Sequence, residues 1–408
     1  MLQAKTIEII KSTVPVLEVH GEAITSRFYQ LLFTKHPELL NIFNHANQKK
    51  GRQQAALANA VYAAAANIDK LEMIIPVVKQ IAHKHRSLGV KPEHYPVVGE
   101  NLLQAIKDVL GDAATDEIIN AWAEAYGVIA DAFIGVERDM YEAAEQQNGG
   151  WEGFRAFVVA EKKEESSVIT SFYLKPQDGG PIAEFNPGQY VSVRMEIPGE
   201  KNTHIRQYSL SDAPGKEHYR ISVKKETGLN SPDGIVSVYL HEGVKAGDVL
   251  YLSAPAGDFY LDTESAKPAV LISGGVGLTP MVSMLKTAAG KQPEREMTFI
   301  HAAINGQTHA LKNEVKKVAE NAENISTYFV YEKPLEEDFG YDQTGYIDEA
   351  WLRKVLPLNK EAEYYFCGPV PFMKAINHAL QELNIKKENI HFEFFGPASD
   401  LEKEKVNA

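Results

Sequence analysis

The chain of 408 residues has a single cysteine, Cys367. No disulfide can close within it, which suits a reducing compartment. Basic residues are few beside acidic ones: 42 Lys and Arg face 55 Asp and Glu, giving a formal charge of −13. That balance makes nucleic acid and anionic membrane poor partners. No apolar run approaches the ~20 residues of a membrane-spanning helix. The opening Met1-Leu2-Gln3-Ala4-Lys5 lacks the apolar core of a secretory signal. These absences together lead to the expectation of a cytoplasmic protein with no membrane span and no nucleic-acid partner.

The length predicts two to three domains. Before residue 148 the patterning is helical. Val98, Leu102, Ala105, Ile106 and Val109 recur at helical spacing, as do Ile118, Trp122, Ala125, Ile129 and Phe133. Pro37, Pro76, Pro92 and Pro96 stand at the edges of these elements. Gln146-Gln147-Asn148-Gly149-Gly150 reads as a helix stop or linker. The period then switches to two. Phe154, Ala156 and Val158 alternate with other residues, and Tyr190, Ser192 and Arg194 oppose Val191 and Val193. Turn signals recur at Asp178-Gly179-Gly180, Asn186-Pro187-Gly188 and Ala213-Pro214-Gly215. Short strands at this spacing predict an antiparallel β-barrel or sandwich. From about Lys267, buried-strand runs alternate with helical stretches, the rhythm of a parallel α/β sheet.

Three short runs carry chemistry. Gly274-Gly275-Val276-Gly277-Leu278-Thr279-Pro280 joins an apolar strand to a helix. Its glycines let the backbone approach a ligand closely, and the helix N-terminus offers free N–H groups to a pyrophosphate. Arg206-Gln207-Tyr208-Ser209 supplies a guanidinium for a pyrophosphate, a ring for stacking on an isoalloxazine and a hydroxyl for its N5 edge. Phe366-Cys367-Gly368-Pro369 falls at the carboxyl end of a predicted strand, where ligands bind in open α/β sheets. Each run alone also suits a plain structural turn or strand.

In this order and spacing the runs resemble the ferredoxin–NADP reductase family over about 151–408. The resemblance implies that Tyr190 and Arg206, Gln207, Tyr208 and Ser209 bind FAD. It implies the same for Gly234, Val236 and Ser237 at a helix start and for the tail Phe394, Phe395, Gly396 and Pro397. Gly274, Gly275, Val276, Gly277, Leu278 and Thr279, with Cys367, Gly368 and Pro369, fall to NADH or NADPH. The absence of an arginine after the 297–303 strand favours NADH over NADPH. A flavin reductase must pass its electrons on. An iron–sulfur acceptor in the helical half is excluded, because the one cysteine lies elsewhere. Haem on a histidine is the natural acceptor.

The segment Ile81 to Tyr95, with His83 and His85, resembles the proximal segment of bacterial flavohaemoglobins, and the likeness extends along the whole chain. Phe28-Tyr29 near the end of the second helix, Phe43, Gln53 and Leu57 share it. It implies a multidomain chain: an all-α globin at 1–147, an antiparallel β-barrel FAD domain at 148–265 and an α/β parallel-sheet NAD(P)-binding domain at 266–408. His85 becomes the proximal ligand of haem b iron. His83, two positions away, points elsewhere on a helix and is taken as solvent-facing. Glu137, at the C-terminal end of the last globin helix, would orient His85, and Tyr95 would complete the network. Tyr29 would donate to bound dioxygen, with Phe43, Gln53 and Leu57 shaping the distal pocket. Lys84 and Glu393 are candidates for tuning both redox centres. The implied activity is nitric oxide dioxygenation by a monomer, with O2, NO and NAD(P)H as small-molecule partners and a lipid as a further occupant of the distal pocket. The same parts also suit a haem–flavin alkylhydroperoxide reductase, or an oxygen- or lipid-binding globin sensor.

Overall fold

A computed structural model describes residues 2–43, 48, 51–228, 233–358 and 361–395. These divide into two compact units, 1–155 with 192–206, and 156–191 with 207–408.

The first unit is helical. Its first helix, α1 (Ala4–Lys35), buries Ile10, Leu17, Ile24, Phe28 and Leu32 along one stripe. Each such side chain contributes about 1.5–3 kcal/mol when taken from water. That stripe carries α1 unbroken through Pro15, although a proline inside a helix costs ~3 kcal/mol. Tyr29 therefore lies on the first helix, not on a second one. The helices α2 (Arg52–Ala66), α3 (Ile75–Leu88), α4 (His94–Leu110) and α5 (Asp116–Gln146) follow. Pro76 sits in the first turn of α3, where its missing N–H is harmless. Gly89 ends α3 at φ +79°, a conformation that glycine adopts without strain. Thr115 caps α5 by accepting the Ile118 N–H. Leu102, Ala105 and Ile106 of α4 pack with Trp122 and Ala125 of α5 against the α1 stripe.

The strands β1 (Phe154–Glu164), β2 (Ile169–Pro176), β3 (Tyr190–Met195), β4 (His204–Ser209), β5 (Tyr219–Lys224) and β6 (Val249–Ser253) belong to one sheet. β2 pairs antiparallel with β1 on one side and β5 on the other. Helix α6 (Ile235–Glu242) precedes β6. The buried face of β1 is set by Phe157 and Val159, while Phe154, Ala156 and Val158 are half-buried. Both parities carry apolar residues there, so alternation alone does not choose the core face. In β3 both faces are covered: Ser192 is buried, its hydroxyl donating to Ser87 Oγ at 3.0 Å.

The rest of the second unit is α/β. In chain order it runs β7 (Ala269–Gly274), α7 (Leu278–Lys291), β8 (Met297–Ala303), α8 (Lys312–Glu320), β9 (Ile325–Tyr331), β10 (Gln343–Thr344), α9 (Glu349–Val355), β11 (Glu363–Cys367), α10 (Val370–Glu382) and β12 (Ile390–Glu393). The sheet order is β10-β9-β8-β7-β11-β12, and its neighbouring strands run parallel. The chain thus builds outward from β7 in one direction, then crosses back to build outward in the other. The crevice at the carboxyl ends of β7 and β11 is the switch point where such sheets bind ligands.

Candidate active site

In the helical unit, Gly89 turns the chain sharply after α3, so Tyr95 in the first turn of α4 comes back beside His85 in the last turn of α3. Helix α5 brings Glu137 to both. The Glu137 carboxylate oxygen Oε1 lies 2.7 Å from His85 Nδ1 and accepts the Tyr95 hydroxyl at 2.7 Å. His85 Nδ1 and Tyr95 Oη are 3.3 Å apart. Glu137 is 2% exposed and sits well inside α5, not at its end. A buried carboxylate needs donors, so His85 turns its Nδ1 to Glu137 and leaves Nε2 on the other side of the ring. Burial, reinforced by the hydrogen bond to Glu137, pushes the Tyr95 phenol well above its ordinary range, keeping it a donor. Phe133, one turn before Glu137, lies 5.8 Å from the His85 ring and 6.3 Å from the Tyr95 ring. The Tyr95 carbonyl is held by the Tyr126 hydroxyl at 2.6 Å.

The His85 side chain keeps 32% of its surface open while its carboxylate partner keeps 3%. An oriented imidazole with one ring nitrogen engaged and the ring partly uncovered suits a metal centre. His83 is half-buried, and not purely solvent-facing; so is Lys84.

Tyr29 is 8% exposed and ringed by Phe28, Phe33 and Phe43 at centroid distances of 4.9, 5.7 and 5.7 Å. Burial pushes its phenol pKa up, against a hydrogen bond with Gln48. Leu57 packs half-buried on the same core. Gln53 Oε1 is buried without a hydrogen-bond partner among the described residues. A buried orphan acceptor fits a site that expects a bound group.

In the second unit, the glycine turn after β7 meets the end of β11. A Cβ at Gly277 would stand 2.2 Å from the Cys367 carbonyl oxygen, and one at Gly368 2.6 Å from the Phe372 ring. Gly274 would press on the same ring at 2.9 Å. No side chain fits at these places, so backbone N–H groups are left to face the crevice. Gly275 has φ +54°, and Val276 beside it is half-buried. Leu278 and Thr279 are buried, with the Thr279 hydroxyl closing the turn onto Val276 O at 3.1 Å. Pro369 stands just ahead of α10. Cys367 packs its thiol into the core, and burial, then the Glu393 charge, push its pKa well up. Any contact this residue makes with a nucleotide comes from its backbone.

The flavin candidates are more scattered. Tyr190 lies with its ring about the Gly257 backbone, 3.0 Å from where a Cβ would be. Gln207 and Tyr208 are half-buried and Ser209 is buried at the end of β4. Arg206, on the same strand, donates to Ile205 O at 2.8 Å. Gly234 leads into α6, Val236 is buried, and the Ser237 hydroxyl already donates to Gly234 O and accepts the Glu226 N–H. Glu393 ends β12 in register with Cys367. Phe394 is half-buried and Phe395 exposed; Gly396 and Pro397 lie outside the described residues. The sequence reading missed Gln48 and Tyr126 in the first unit and Phe372 in the second. Only Phe133 had left a trace, one helical turn before Glu137.

A carboxylate-anchored histidine in a helical unit, followed by an antiparallel sheet and a glycine-cradled parallel sheet, defines a globin–reductase oxidoreductase. The globin profile matches residues 26–133, the oxidoreductase FAD-binding domain 156–260 and the oxidoreductase NAD-binding domain 271–378. The chain is 62% identical over 405 residues to the flavohemoprotein of Bacillus cereus, covering 98% of this chain and 100% of that one. It therefore belongs to the flavohemoprotein family, whose cofactors are haem, FAD and a nicotinamide dinucleotide. The crystal structure of a flavohemoglobin from Malassezia yamatoensis with bound FAD and heme superposes at TM-score 0.83 and 28% identity, over 97% of this chain and 100% of that one. The FAD/NAD binding domain of a nitric oxide dioxygenase from Vibrio cholerae matches at 0.55 and 40%, over 60% of this chain and 99% of that one. Among the described residues no helix is long and apolar enough to cross a membrane.

Proposed function

We propose that the protein is a nitric oxide dioxygenase, with the globin at 1–147, the FAD domain at 148–265 and the NAD(P)H domain at 266–408. The bound cofactors supply the chemistry that carries a hydride's electrons to dioxygen, so that nitric oxide leaves as nitrate. The observation that carries the reading is the His85–Glu137–Tyr95 constellation. A globin that merely stores oxygen gains nothing from a buried anion on its histidine, whereas a carboxylate partner raises imidazole basicity and favours oxygen activation. Glu137 fixes the ring and its tautomer, Tyr95 holds the carboxylate, and His85 presents Nε2 to iron. Tyr29 offers one hydroxyl donor to a diatomic ligand from an otherwise aromatic and aliphatic wall, which Phe43, Gln53 and Leu57 complete. Lys84 and Glu393 tune the two redox centres by their charge. Tyr190, Arg206 to Ser209, Gly234, Val236, Ser237 and the tail at Phe394–Phe395 hold FAD. The Gly274–Thr279 turn and the Cys367–Pro369 backbone hold the nicotinamide dinucleotide. NADH is the donor, since Ile304-Asn305-Gly306-Gln307 after β8 offers no arginine to a 2′-phosphate.

The test is NADH-driven turnover of the holoprotein under air with nitric oxide, followed by nitric oxide electrode and nitrate assay. One nitrate per nitric oxide consumed is expected. Hydroperoxide consumption without nitrate formation overturns the reading in favour of a peroxide reductase. Failure of NADH to reduce the haem overturns it in favour of a sensor.

A further inference from the structure

Four charged side chains of the second unit meet away from the sites described above. Arg220 comes from β5, Asp212 from the turn after β4, Lys286 from α7 and Glu314 from α8. Arg220 is 2% exposed and donates to Glu314 at 2.7 Å. Lys286 bridges Glu314 and Asp212. Arg220 also holds Ser211, through Oγ at 3.1 Å and through the carbonyl. Ser283, one turn before Lys286, donates to the Asp212 carbonyl at 2.8 Å. Two cations and two anions thus form a largely desolvated chain, Arg220 to Glu314 to Lys286 to Asp212, whose ends meet through Ser211, with His218 Nε2 3.7 Å from Asp212. Burial pulls the Asp212 and Glu314 carboxyls up, but Lys286 and Arg220 more than offset it and hold both below the ordinary range.

We infer that Asp212, Arg220, Lys286 and Glu314 form an ionic latch that sets the approach of nicotinamide to flavin, as positioning residues for hydride transfer. The inference rests on the reading that NADH reduces FAD in this chain. Asp212 lies three residues beyond Ser209, the last residue of the flavin-binding run. Lys286 lies seven residues, two helical turns, beyond Thr279, the last of the dinucleotide cradle. The latch therefore joins the two elements whose separation the hydride must cross. An apolar contact lets packed elements slide, whereas a buried ion pair is tolerated only in one well-formed geometry. None of the four residues is among those assigned above to either cofactor, so their loss should misplace the reacting atoms without removing a binding group. A misplacement on the order of 1 Å can slow a positioned reaction by up to about 100-fold.

The experiment is anaerobic stopped-flow reduction of FAD by NADH in the full-length holoprotein. It compares the parent with Lys286→Met, Glu314→Gln and the conservative Lys286→Arg. The expected result is a limiting rate at least about tenfold lower in the first two, with NADH affinity, FAD content and melting temperature close to the parent's. Lys286→Arg should restore the rate. Loss of Lys286 leaves the Arg220–Glu314 pair intact, so Lys286→Met is the milder variant should Glu314→Gln fold poorly. Parental rates in folded, FAD-loaded Lys286→Met overturn the latch, as does a loss of melting temperature or of NADH affinity alone. If NADH does not reduce the flavin of the parent protein, the functional reading fails first.

Discussion

Replacing Glu137 by glutamine keeps the side chain's shape and removes its charge. In the parent one carboxylate oxygen serves both His85 Nδ1 and the Tyr95 hydroxyl at 2.7 Å, and Glu137 is 2% exposed. A hydrogen bond with a charged partner is worth about 1.5–3 kcal/mol net and a neutral one about 0.5–1.5, so the exchange withdraws about 1–1.5 kcal/mol from the imidazole. A more basic imidazole favours ferric over ferrous iron. At 59 mV per tenfold change for a one-electron couple, Glu137→Gln should raise the haem midpoint potential by about 40–65 mV. Tyr95→Phe should act in the opposite direction. It removes the competing donor and leaves the carboxylate wholly to His85, so the potential falls. Anaerobic spectroelectrochemical titration measures both, and the iron–histidine stretch in resonance Raman spectra should drop for Glu137→Gln. A fully haem-loaded Glu137→Gln protein with the parent's potential refutes the reasoning, as does a Tyr95→Phe shift of the same sign.

Tyr29→Phe removes the one phenolic donor of the aromatic cluster, and oxygen dissociation measured by stopped flow should speed up about tenfold, the equivalent of one hydrogen bond of about 1.4 kcal/mol. Gly277→Ala places a methyl 2.2 Å from the Cys367 carbonyl oxygen. Flavin reduction by NADH should fall at least about tenfold as the cradle shifts, while the carbon monoxide spectrum of the dithionite-reduced protein stays unchanged. Burial lowers the His301 pKa to about 3. The unfolded chain takes up that proton near pH 6.5, so stability attributable to His301 is complete above ~6.5 and falls by about 1.4 kcal/mol per pH unit towards ~3. Denaturant unfolding of His301→Gln across this window should show a shallower pH slope; an unchanged slope contradicts the assignment.

The helices, the strand runs and the glycine turn were legible because each is written in local periodicity or in residues with restricted backbones. Val98 to Val109 and Ile118 to Phe133 repeat at helical spacing, and Leu102, Ala105, Ile106, Trp122 and Ala125 of these sets are buried, while Ile119 and Ala121 join the same core from outside them and Val98, Val109, Ile118 and Ile129 are only partly covered. Local rules break a helix at Pro15, and a long buried stripe overrides them. In β1, apolar residues on both parities hid the core face, which tertiary packing gives to Phe157 and Val159. Side-chain partners drawn from distant elements left no local signal. Gln48 sits in a polar stretch that resembles any surface loop, yet it reaches Tyr29. Arg220 and Glu314 are 94 positions apart, and nothing in either neighbourhood marks them as a pair.

The burial of Cys367 has a chemical consequence. Oxidants and nitrosating species react with thiolates in preference to thiols. This chain has one thiol, wholly enclosed, with a pKa pushed well up by its surroundings. Thiolate is what reacts, so the chain offers thiol-directed reagents no accessible thiolate. Protection of that thiol is a matter of composition as much as of fold: a single cysteine, set at the buried end of a strand.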